Sequence, residues 1–113
     1  MKTYPASMWT KEDLIAYLLI YCANADYIES QDEKDLILSK VGSVVYSRIH
    51  KEFERSNDFQ HIKNIEQSIQ NLNLSKDQKG ELLKLMKDFF SENEFNILEQ
   101  NLLRALNHLM LER

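Results

Sequence analysis

Residues that break helices are nearly missing from this chain: glycine stands only at Gly42 and Gly80, and proline only at Pro5. Because Pro5 precedes the first periodic segment, little in the body of the sequence interrupts a helix, and an all-α fold is expected. The same shortage removes whole classes of chemistry. Two widely separated glycines cannot write a P-loop, a GxGxxG turn or a GxSxG elbow. Cysteine is equally scarce. Cys22 has no second cysteine to pair with, and its place in the most apolar stretch reads as a buried, inert thiol in a reducing compartment. His50, His61 and His108 occur singly, with no HExxH and no pair one helical turn apart. A zinc site would have to be assembled wholly by tertiary structure, and surface positions are expected for the histidines. An excess of positive charge is lacking too. A net charge of −4 repels polyanions at long range, so no nucleic-acid partner is expected.

Long apolar runs are also absent. Leu14 to Ala23 is the longest, far short of the roughly 20 residues that cross a bilayer, so no membrane span is expected. The Ala23-Asn24-Ala25 that follows imitates a signal-peptidase site. However, Glu12 and Asp13 stand where an export signal carries positive charge, and Tyr21 before Cys22 spoils a lipoprotein site. The run therefore reads as a central buried helix of a cytoplasmic protein.

What is present is enough apolar material for one core. With 43% apolar residues in 113, the chain fits a single all-helical domain over residues 1–113. The spacing predicts a bundle of about five to seven helices. Thr10 can cap the first, with Glu12 and Asp13 in its opening turn, and it should end near Ala25 or Asp26. Leu14, Leu18, Tyr21, Cys22 and Ala25 share one face while Ile15, Leu19 and Ile20 cover another, so this helix should be surrounded on most sides.

Ser30-Gln31-Asp32-Glu33 is a capping box that opens a second helix. Helical spacing then runs through Ile37, Val41, Val44 or Val45, Arg48 or Ile49, and Phe53 across Gly42-Ser43, which leaves open one kinked helix or two short ones. After a break at Ser56-Asn57-Asp58, Phe59, Ile62, Ile65, Ile69 and Leu72 make the narrow stripe of a partly exposed helix. Ser75-Lys76-Asp77-Gln78 is another capping box, opening a helix with Leu82, Leu83, Leu85, Met86, Phe89 and Phe90. A last helix carries Phe95, Leu98, Leu102, Leu103, Leu106, Leu109 and Met110.

One unit appears twice. Asn24 to Glu33 lies over Phe90 to Glu99 without a gap, setting Asp26 on Glu92 and Glu33 on Glu99. The offset extends to Tyr17 on Leu83, Leu19 on Leu85, Ile20 on Met86, Leu36 on Leu102 and Ile37 on Leu103. That pattern predicts pseudo-repeats over about residues 12–45 and 78–111, each a helix pair with an acidic elbow.

At the elbows, Asp26 and Glu92 meet the partial negative charge of helix C-termini, an arrangement a cation would relieve. Asp26, Glu33, Glu92 and Glu99 are the candidate metal ligands, with Glu29, Asp32 and Glu94 in support. These hard oxygen donors suit calcium, magnesium or manganese. In the plainer reading Glu33 caps, Asp26 ends a helix and the rest are solvated acids, and it carries more weight because spacing alone is a weak warrant for a metal site. An EF-hand is excluded, since a loop starting at Asp26 would place Ile28 third, Gln31 sixth and Ile37 twelfth. Arg48, His50, Lys51 and Arg55 are interleaved with Glu52 and Glu54, the pattern of a solvated face closed by helical ion pairs rather than of a phosphate site.

Leu18 to Glu29, with Glu33 downstream, resembles the first signature of TerB-like, tellurite-resistance-associated domains: apolar helix, Ala-x-x-Asp-Gly, short hydrophobic turn, then Glu in a new helix. Leu82 through Glu92 and Glu99 to Leu109 is similar to the family's second signature. The family's Asp-Gly is Asp26-Tyr27 in the first unit and Glu92-Asn93 in the second. The resemblance implies a pseudosymmetric all-helical domain, usually non-enzymatic, tied to stress response or membrane-associated assemblies, with an acidic metal site in some members.

The leading expectation is thus a cytoplasmic, non-enzymatic TerB-like binding or scaffold domain, with no cofactor beyond a divalent cation at its elbows. Its first rival is a metal-free interaction module that recruits a protein partner or a second copy through an apolar face from Trp9, Phe59 or Met110. An enzyme with an unsignatured acidic site comes third.

Overall fold

Local side-chain hydrogen bonding caps four of the five α-helix starts among the described residues. In the computed structural model, which describes residues 4–24 and 30–91, a short 3-10 turn at Ala6–Met8 leads to α1 (Lys11–Ala23). Thr10 Oγ1 accepts from the Asp13 amide at 3.2 Å, and the Asp13 carboxylate accepts from the Thr10 amide at 3.0 Å. This reciprocal pair satisfies two amides that a helix start otherwise leaves open. Ser30 and Glu33 do the same for α2 (Gln31–Val41), and Asn57 and Gln60 for α4 (Asp58–Leu72). Ser75 and Gln78 repeat the arrangement at the start of α5 (Lys76–Ser91).

Between α2 and α3 (Ser43–Glu54) the chain turns through Gly42 at φ 85° and ψ 161°, so the segment that sequence spacing left undecided is two helices. Gly42 belongs to both. Its amide donates to the Leu38 carbonyl at 2.9 Å, and its own carbonyl accepts from the Tyr46 amide at 3.0 Å. Asn73, in the left-handed conformation at φ 51°, ends α4. The protein is all-α, with five α-helices among the described residues.

α1 is the axis of the fold, packing against each of the other four helices. Its two apolar faces require this: Leu14, Ala16, Tyr17, Leu18, Leu19, Ile20, Cys22 and Ala23 are all buried. The surrounding helices contribute Ile37, Tyr46, Ile49, Ile65, Ile69, Leu82, Leu83 and Met86 to the same core. The 3-10 turn lies on α4, and Trp9 just after it is buried.

Three expectations need correction. Trp9 is not an exposed docking residue but 2% exposed, because its indole lies against Tyr17 with ring centroids 4.6 Å apart. His61 is not on the surface but in the core, on the same helical line as Ile65 and Ile69. The pairing of Leu19 with Leu85 also differs in burial. Leu19 is fully buried and Leu85 only partly, although Tyr17 and Leu83, and Ile20 and Met86, are buried in both members. The cause is position: α1 is covered on most sides, while α5 turns Lys84, Lys87 and Asp88 to solvent. Leu102 and Leu103, the mates of Leu36 and Ile37, lie outside the described residues, as do Met110 and His108.

Candidate functional site

Of the candidate metal ligands, Glu33 alone falls among the described residues; Asp26, Glu92 and Glu99 lie outside them. Glu33 Oε1 accepts from the Ser30 amide at 3.0 Å, so its carboxylate is engaged as a helix cap. Among the supporting acids Asp32 is described, exposed in the first turn of α2, while Glu29 and Glu94 lie outside. Among the described residues no group of three or more His, Cys, Asp or Glu side chains is placed to hold a metal ion.

The structure assembles two polar clusters elsewhere. The first fastens the N-terminal segment. Asp13, fully buried, receives the Tyr4 hydroxyl on Oδ2 at 2.6 Å and the Arg48 guanidinium on Oδ1 at 2.7 Å, beside the Thr10 amide. The guanidinium also lies over the Tyr4 ring, 4.8 Å from its centroid, and the Trp9 indole donates to the Tyr4 carbonyl at 2.8 Å. Burial pushes the Asp13 carboxyl upward, but the bonds from Tyr4, Thr10 and Arg48 outweigh it and hold the group below the usual carboxylate range. The bond to Asp13 raises the Tyr4 hydroxyl in turn. This contact ties α1 to α3 and to the segment before α1.

The second cluster joins α1, α3 and α4. The Ser56 hydroxyl donates to the Glu52 carbonyl at 3.0 Å, and Asn64 Nδ2 donates both to Ser56 Oγ at 3.2 Å and to the Tyr17 oxygen at 3.1 Å. The Tyr17 oxygen also lies 2.6 Å from His61 Nδ1, a buried hydrogen bond in which the imidazole tautomer sets which partner donates. His61 stacks on Phe53 with centroids 4.1 Å apart and planes 9° from parallel, and Tyr17 meets Phe53 edge-on. Burial raises the Tyr17 hydroxyl above its ordinary value. A hydroxyl on an imidazole has the form of a nucleophile and its base. Here, however, Tyr17 is 0% and His61 5% exposed, and their reactive atoms face each other inside the core.

Outside the core, the basic residues of α3 and its C-cap, Arg55, divide. His50 Nδ1 lies 3.5 Å from Glu54 and Arg55 donates to Glu52 at 2.8 Å, the intrahelical pairs the sequence predicts, whereas Arg48 crosses to Asp13. Phe59 at the start of α4 is 70% exposed, with the Lys63 ammonium 5.4 Å from its ring centroid. Comparison with family models, curated proteins and solved structures finds no match for this chain.

Sequence reasoning missed both clusters. Asp13 was visible as the third residue after a threonine cap, the position that reaches back to the cap's amide. His61 was visible as well, since it falls four residues before Ile65 and eight before Ile69, whereas Phe59 lies off that line. Nothing local names Arg48 or Asn64 as partners.

Proposed function

We propose that the chain is a non-enzymatic, TerB-like helical binding domain that works through its surface, engaging a protein partner or a second copy of itself in the cytoplasm. The observation that carries this reading is the use made of its chemically capable side chains. Asp13, Tyr17 and His61 are buried and bonded across helices, so they serve to fix the bundle rather than to meet a substrate. Among the described residues Phe59 is the exposed aromatic side chain, and it is the docking residue in this reading. Sedimentation velocity over a range of concentrations tests the self-association form: concentration-dependent dimerisation, lost in Phe59→Ser, supports it. A monomer at every concentration sinks that form and leaves a different protein as the partner.

The cation at the acidic elbows belongs to the same proposal. Its support is the repeated spacing of Asp26, Glu33, Glu92 and Glu99 and the resemblance to TerB-like domains, while the capping bond of Glu33 favours the metal-free form. Thermal melts with millimolar calcium, magnesium or manganese, and with chelator, decide between them. A ligand that binds only the folded protein raises the midpoint, by about 2.7 kcal/mol of stability at a hundredfold excess over Kd. A cation-dependent rise that disappears in Asp26→Asn supports the site; superimposable melts remove it.

A further inference from the structure

No further inference is drawn: the strongest candidate, the outward face of α4 where Phe59 lies exposed beneath the Lys63 ammonium, carries nothing beyond the docking role already proposed because nothing in the structure shows what covers it.

Discussion

A carboxylate removed from water is stable only where its charge is answered, and Asp13 shows how few groups suffice: one amide, one phenol and one guanidinium occupy its two oxygens. Removing the phenol leaves Oδ2 with the Thr10 amide alone, so Tyr4→Phe should cost about 1.5–3 kcal/mol in urea unfolding, the range for a hydrogen bond to a charged group. The pH dependence follows from the same contacts. Unfolded Asp13 titrates near its ordinary 3.8 and folded Asp13 lower. Its contribution is therefore complete above the unfolded value and is lost as pH falls through the folded one. Stability measured from about pH 5 downward should fall less steeply in Asp13→Asn than in the wild type. Parallel slopes would show that Asp13 is not a source of the acid sensitivity. The sequence showed Asp13 as a first-turn acid but not as a buried one. Its guanidinium partner lies 35 residues away, and a separation of that length leaves no local pattern.

Helix starts were legible because a capping box is written in four consecutive residues, as at Ser30-to-Glu33 and Ser75-to-Gln78, and needs no tertiary partner. The junction of α2 and α3 was not, because glycine is compatible with a helix interior and with a break alike. The backbone of Gly42, at φ 85° and ψ 161°, lies in a region that side chains other than hydrogen rarely enter, while Gly80 sits inside α5. An added methyl would meet nothing within 4 Å at either position, so backbone preference alone sets the outcome. Gly42→Ala should then cost about 1–3 kcal/mol, and Gly80→Ala should stabilise by about 0.5–1 kcal/mol. Denaturant titrations in which Gly42→Ala stabilises, as Gly80→Ala does, would show that the junction can be rebuilt as continuous helix.

At the scale of the whole molecule, the fold is an answer to one helix that is apolar on two faces. Composition and the unbroken run from Leu14 to Ala23 made the central position of α1 readable, since such a helix is soluble only when covered on most sides. The duplicated spacing carried less information, because two helices can share a period yet differ in how much of their circumference is covered. Leu19 has no exposure, Leu85 is partly buried at the rim and Ile62 is partly buried on the narrower face of α4. Truncation to alanine removes transfer free energy everywhere but leaves a full cavity only where neighbours close around the site. Leu19→Ala should therefore cost about 2–5 kcal/mol, with Leu85→Ala and Ile62→Ala clearly below it. A strict internal repeat predicts instead that Leu19 and Leu85 lose equally. Urea titrations of the three variants at unchanged m-value separate the two ideas: equal losses at Leu19 and Leu85 would restore the repeat as the organising feature, and unequal ones leave the central helix in that role.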